Sequence, residues 1–146
     1  MRWSPRAIVM GMRKGEAMDA SYKPRGYTTV SPYLIVGGAN DTIDFLTRVF
    51  GADELRRIPD STGKLRHAEV RIEDSVVMIA DGLEGWPPVP SHVHVYVADV
   101  DETYRRALET GATSVQEPAQ KEDEDKRAGV KDSGGTTWWI ATRMAG

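Results

Sequence analysis

The sequence has no cysteine, and this excludes several classes of site at once. A chain without thiols has no disulfide bond, no thiolate-bound metal and no cysteine nucleophile. No apolar run approaches the ~18 residues that a membrane-spanning helix needs, so we expect no membrane partner. The lack of disulfides is compatible with a reducing compartment, and we expect a cytoplasmic protein.

Positive charge is also scarce, since 19 lysines and arginines face 22 aspartates and glutamates, for a net charge of −3. Nucleic-acid phosphates are bound by a basic face, so we expect no nucleic-acid partner. Glycine-rich phosphate loops and a Gly-x-Ser-x-Gly nucleophile elbow are missing as well. The remaining composition, 40% hydrophobic and 28% charged, is typical of a soluble globular domain.

The chain does contain an internal repeat. Residues 36–52 read VGGANDTIDFLTRVFGA, and residues 97–112 read VADVDETYRRALETGA. Both segments follow an alternating run, carry acidic residues where a helix would begin, and end on Gly-Ala. Such self-similarity indicates duplicated structural units. We therefore expect one domain made of two similar halves, with a cavity between them as the place to look for function.

The first half has the pattern of a β-α-β-β-β unit. A strand is predicted over residues 30–36, followed by a helix that Asn40 or Asp41 opens and Gly51 ends. Turn residues then separate three more strands, predicted at 54–58, 64–72 and 75–80. A proline-rich loop over residues 82–90 connects this half to the next.

The second half repeats this order of elements. An alternating strand at 92–98 precedes a helix that Asp99 or Asp101 opens and Gly111 ends. The densely charged run 121–127 is either a solvated loop or a lid over a cavity. Three further strands are predicted at 113–116, 127–131 and 136–142.

These units define the expected domain organisation. Residues 1–26 lack a periodic pattern, and we interpret them as a flexible extension or as the result of an upstream start codon. The folded domain is expected over residues 27–146. Within it, module one spans 27–81, the linker 82–91, and module two 92–143.

Several short motifs at collinear spacing resemble a known family. They are Ser31-Pro32-Tyr33-Leu34, Val49-Phe50-Gly51-Ala52, Arg66-His67-Ala68-Glu69, Val95 to Asp101, and Trp138-Trp139-Ile140-Ala141-Thr142. Together they resemble the glyoxalase/bleomycin-resistance/extradiol-dioxygenase superfamily (vicinal oxygen chelate fold). More narrowly, they resemble its PhnB-like branch, often called demethylubiquinone methyltransferase-like. The resemblance implies an α+β fold of two β-α-β-β-β modules forming a curved mixed sheet around a cavity. It also implies a homodimer, sometimes with modules exchanged between chains.

The resemblance also implies where a metal would be bound, with one ligand on the first and one on the fourth strand of each module. Ser31, Met78, His92 and Ala141 occupy those positions. Because only His92 is a good ligand for a divalent cation, we expect no standard metal site and no cofactor. A second departure is Asp132-Ser-Gly-Gly-Thr, which stands where the branch usually has Asp-Pro-x-Gly-His.

Strand alternation sorts the polar side chains by face. His67 and Glu69 are predicted on the cavity side of the third strand, together with His92 and His94 of the fifth. One hypothesis is a relocated divalent-metal site made of these four residues. A second is that His92 acts as a general base oriented by Glu69. A third is that His67 and Glu69 form only a polar pair that fixes strand register.

Aromatic residues on the same side suggest a ligand pocket. Tyr33, Tyr96 and Trp139 line a pocket for a planar ligand, fill the cavity themselves or face a dimer partner. Trp86 caps this pocket or packs the linker, and Arg127 binds an anion at its mouth or has only a surface role.

The leading hypothesis for function is a protein that binds a small molecule in an aromatic and histidine-lined cavity. His94 belongs to that lining. The alternative is a metal-dependent lyase, isomerase or dioxygenase that uses His67, Glu69 and His92.

Overall fold

A computed structural model describes residues 22–144, so most of the predicted N-terminal extension, residues 1–21, lies outside the described part of the chain. Each half forms one β-α-β-β-β unit, as predicted. The elements of the first are β1 (Tyr33–Val36), α1 (Ala39–Phe50), β2 (Asp53–Pro59), β3 (Leu65–Ile72) and β4 (Ser75–Asp81). Those of the second are β5 (Ser91–Tyr96), α2 (Val100–Glu109), β6 (Thr113–Gln120), β7 (Asp125–Lys131) and β8 (Thr136–Arg143).

The two units have the same sheet topology. Strand order is β1-β4-β3-β2 in one four-stranded sheet and β5-β8-β7-β6 in the other. In each sheet the first strand is parallel to the fourth, and the remaining neighbours are antiparallel. The α+β class and the duplicated mixed-sheet architecture are therefore confirmed, with two separate sheets in the protomer rather than one continuous sheet.

Several strand boundaries differ from the prediction. β1 begins at Tyr33 instead of residue 30, because Pro32 has no N–H to donate, although its carbonyl accepts from the amide of Met78 at 2.9 Å. β6 continues to Gln120, and β7 already begins at Asp125. The charged run is therefore the tip and first residues of a β-hairpin: residues 121–124 are exposed, whereas Asp125 is buried at the start of β7.

The two helices begin in different ways. α2 is capped as predicted, since Asp99 accepts from the amide of Glu102 at 3.2 Å. The predicted caps of α1, Asn40 and Asp41, are wrong. Gly38 is the first cap residue, and Asp81 at the end of β4 accepts from the amides of residues 38 and 39 at 3.0 and 2.8 Å. A carboxylate from the neighbouring strand thus accepts hydrogen bonds from the free backbone N–H groups at the start of α1.

One hydrophobic core lies on the helix side of both sheets. Phe50 of α1 packs on Trp138 of β8 with ring centroids 5.6 Å apart, and Trp138 is fully buried. The Arg106 guanidinium of α2 donates to the carbonyl of Val49 at 2.7 and 3.1 Å, which joins the two helices. The strand residues predicted to face this core are buried: Ala68, Val70, Ile72, Trp138 and Ile140. The opposite side of each sheet carries no helix, and we call it the open face.

Candidate functional site

The open face of the first sheet carries a chain of hydrogen-bonded polar side chains. The Tyr33 hydroxyl lies 3.0 Å from Nδ1 of His67, and Nε2 of His67 lies 2.7 Å from a carboxylate oxygen of Glu69. The second carboxylate oxygen of Glu69 accepts a hydrogen bond from the Tyr27 hydroxyl. Strand alternation explains the His67–Glu69 contact, because residues two apart on β3 project from the same face.

Glu69 is an unusually buried carboxylate, with only 6% of its surface exposed. Burial opposes its ionisation, but the hydrogen bonds from Tyr27 and His67 outweigh burial and hold the pKa of Glu69 below its ordinary value. The same contact with Glu69 raises the pKa of Tyr27. At neutral pH the chain of contacts therefore contains an ionised Glu69.

A cavity of about 640 Å³ lies beside this chain of contacts. Tyr33 forms part of its wall, so one side chain belongs to both features. Trp86, in the loop that follows β4, lines the same cavity. The remaining lining combines apolar and charged residues: Ile35, Asp60, Lys64, Leu65, Arg66, Ala80, Asp81 and Leu83.

The open face of the second sheet has different chemistry. The Arg127 guanidinium donates to His94 at 3.2 Å and to Asp125 at 2.9 Å, and Asp125 also accepts from the Tyr96 hydroxyl at 2.7 Å. Partial burial, followed by the charge of Arg127, holds the pKa of His94 below its ordinary value. Because carboxylates already neutralise Arg127, the predicted role as an anion-binding residue gains no support.

His92 is paired with an aromatic residue instead of a carboxylate. Trp139 donates its indole N–H to Nδ1 of His92 at 3.1 Å, and the two rings lie parallel within 10° with centroids 6.2 Å apart. The hypothesis that Glu69 orients His92 is therefore wrong, because Glu69 contacts His67 and Tyr27.

Comparison with known proteins decides the family. Residues 26–140 match the model of the Glyoxalase/Bleomycin resistance protein/Dioxygenase superfamily. The chain belongs to this superfamily. It is also 34% identical over 145 residues to the uncharacterized protein Rv0887c of Mycobacterium tuberculosis, covering 92% of this chain and 83% of the relative.

Several solved structures share the fold of this chain. TioX from Micromonospora sp. ML1 superposes with a TM-score of 0.63 at 27% identity, over 79% of this chain and 99% of TioX. The antibiotic binding protein TnmS3 from Streptomyces sp. CB03234 gives 0.60 at 20% identity, over 80% and 99%. A PhnB protein from Bacillus cereus gives 0.64 at 15% identity, over 79% and 99%.

The metal centre associated with this superfamily does not fit the residues present here. The four positions that the resemblance assigns to ligands hold Ser31, Met78, His92 and Ala141, and a thioether or a methyl group does not bind a hard cation. The relocated site is not assembled either, because His67 and Glu69 lie on the first sheet while His92 and His94 lie on the second. Within residues 22–144, no three His, Asp or Glu side chains form a metal-binding group.

Three residues of these sites were not predicted from the sequence. Tyr27 precedes the first strand, where no periodic pattern points to its contact with Glu69. Asp125 was assigned to a loop, so its contact with Tyr96 was missed. The sequence analysis gives Asp81 no role. Its position at the end of β4, beside Gly82, lets its side chain reach the backbone at the start of α1. Among the described residues, no helix is long and apolar enough to cross a membrane.

Proposed function

We propose that this protein binds a planar small molecule in the cavity beside the first open face, and that it does so without a metal centre. The observation that carries this proposal is the pair of aromatic side chains on the cavity wall. Tyr33 is 51% exposed and Trp86 is 66% exposed, although both line a concave surface. Exposed aromatic groups at a concavity are typical of ligand sites, because stacking on a ligand removes their apolar surface from water.

The other lining residues favour a ligand that is largely apolar with polar groups at its edge. Ile35 and Ala80 are paired strand residues that line the cavity. Charges of both signs also line it, from Lys64 and Arg66 and from Asp60 and Asp81. A volume of about 640 Å³ falls within the usual range for sites of drug-sized molecules. The antibiotic-binding activity named for TnmS3 makes such a ligand reasonable for the fold.

We further propose a homodimer in which a second copy covers part of the open faces. Tyr96 on the second open face is 61% exposed in the protomer, and Tyr33 on the first open face is 51% exposed. Covering these residues would bury apolar surface and narrow the cavity around a ligand. Sedimentation equilibrium measures this state directly, and a monomer at micromolar concentration would remove the second copy from the proposal.

The ligand-binding proposal is tested with 8-anilinonaphthalene-1-sulfonate, a planar anion that becomes fluorescent in apolar surroundings. Titration of the wild type is expected to saturate, with the thermal unfolding temperature raised by the probe. Trp86→Ala and Tyr33→Ala are each expected to weaken binding about tenfold, since loss of one aromatic contact is worth about 1.4 kcal/mol.

Leu108→Ala is the matched control, because Leu108 is a partly exposed apolar residue on α2 that does not line this cavity. It is expected to leave the affinity unchanged. Equal affinity of the wild type, Trp86→Ala and Tyr33→Ala would show that the probe binds elsewhere and would overturn the proposal.

A further inference from the structure

The hydrogen-bond chain on the first open face ends at a residue of the cavity wall. A polar pair that only fixed strand register would need His67 and Glu69 alone. Here the chain continues from His67 to the Tyr33 hydroxyl at 3.0 Å, and from Glu69 to Tyr27. Two further side chains, one of them facing the cavity, are thus held by the buried carboxylate.

The direction of each hydrogen bond follows from the ionised carboxylate. Glu69 can only accept, so Nε2 of His67 carries the proton in the 2.7 Å contact between them. In a neutral imidazole the other ring nitrogen is then an acceptor. With His67 neutral, the Tyr33 hydroxyl therefore donates to Nδ1 of His67, and its proton is not available to a ligand.

We infer that Tyr33 presents a hydrogen-bond acceptor to the cavity, and that the ligand bound there carries an acidic O–H group, as in a phenol or an enol. Glu69 and His67 set this polarity. Glu69 fixes the tautomer of His67, and Nδ1 of His67 accepts the hydrogen bond from the Tyr33 hydroxyl. A hydroxyl that donates to a strong acceptor becomes a better acceptor itself. His67 is in this sense a positioning residue, and Tyr33 is the residue that contacts the ligand.

The same geometry disfavours ligands that can only accept. A carbonyl or ether oxygen placed against Tyr33 would face the lone pairs of the Tyr33 hydroxyl oxygen and form no hydrogen bond. A ligand hydroxyl in the same place would donate a hydrogen bond to that oxygen. A site arranged to bond a ligand hydroxyl discriminates against the analogue that lacks it, because the polar group of the site is left unpaired. The inference rests on the ligand-binding function proposed above and adds the chemical class of the ligand.

The test uses two probes of nearly equal shape, 2-naphthol and 2-methoxynaphthalene, competing with 8-anilinonaphthalene-1-sulfonate at neutral pH. The wild type is expected to prefer the naphthol about tenfold, the effect of one well-placed hydrogen bond. Tyr33→Phe is expected to abolish the preference while leaving the affinity for the methyl ether nearly unchanged. His67→Leu frees the Tyr33 proton, so the preference is expected to fall to about one or to invert.

Tyr104→Phe is the matched control, because the Tyr104 hydroxyl also bonds a neighbouring side chain, Ser114 at 2.6 Å, but lies on α2 and does not line the cavity. It is expected to keep the preference of the wild type. If both naphthalenes displace the probe equally from the wild type, the inferred ligand class is wrong while binding in the cavity stands. If neither displaces it while Trp86→Ala and Tyr33→Ala still weaken probe binding, the inferred ligand class is wrong and the cavity proposal stands; if these variants bind the probe as the wild type does, both proposals fail.

Discussion

The two modules have the same backbone but carry different chemistry at equivalent positions. In the first sheet, Tyr33 lies opposite Met78, which lies opposite Glu69. In the second sheet the corresponding row is His94, Trp139 and Gly129. A buried carboxylate in one module is therefore matched by a glycine in the other.

The reason for this difference is steric as well as chemical. A Cβ atom at Gly129 would lie 2.7 Å from the Trp139 ring, so the indole occupies the space that a side chain would need. In the first sheet the neighbour is the flexible Met78, and Glu69 fits beside it. The two modules therefore share their strand pairing but differ on their open faces. The first open face carries an ionised carboxylate, and the second carries a large aromatic ring.

The turns before the last strand of each module also differ, and this difference has the largest predicted effect on stability. In module two, Asp132 accepts from two backbone amides, of Gly134 at 2.9 Å and Thr136 at 3.1 Å, and from the indole of Trp138 at 2.8 Å. It is only 6% exposed. Asp132→Ala is expected to lower the free energy of unfolding in urea by about 3 kcal/mol, at about 1 kcal/mol for each lost hydrogen bond.

The corresponding turn of module one supplies the control for that change. Asp74 is exposed and accepts only from the neighbouring Ser75 hydroxyl at 2.9 Å among the contacts found for its side chain. Asp74→Ala is expected to change the free energy of unfolding by less than about 0.5 kcal/mol. Similar losses for the two variants would contradict the view that only the second turn depends on a buried aspartate.

The Gly129 position tests the steric part of the comparison. Gly129→Ala forces the Trp139 ring to move away from its contact with His92, and we expect a loss of about 2 kcal/mol, typical of overpacking. Urea unfolding of the variant measures this loss. In a Trp139→Leu background the same change is expected to cost less than about 0.5 kcal/mol. An undiminished cost there would place the strain in the backbone instead of at the indole.

The repeat and the strand alternation were sufficient to predict the fold and the face on which each histidine lies. They did not reveal which carboxylate meets which histidine, because alternation assigns a face but gives no distance between two sheets. From the sequence, Glu69 could be a partner of His92 or of His67, and in the structure it contacts His67, two residues away on the same strand. Contacts made by residues outside the repeat, such as Tyr27, leave no periodic signal in the sequence.

Substitution of Glu69 has the smallest predicted effect on stability, and it tests whether the carboxylate charge distinguishes the first open face from the second. Because its folded pKa is lowered, its contribution to stability is fully present above the ordinary pKa of a glutamate and is lost as pH falls through the folded value. Glu69→Gln is expected to lower the free energy of unfolding by about 1 kcal/mol at neutral pH. The gap between wild type and variant should narrow at acidic pH, below the ordinary pKa of a glutamate, as Glu69 of the wild type loses its charge. Glu117→Gln, an exposed change on β6, should match the wild type at both pH values. A gap for Glu69→Gln that is independent of pH would mean that packing, and not the carboxylate charge, distinguishes the first open face from the second.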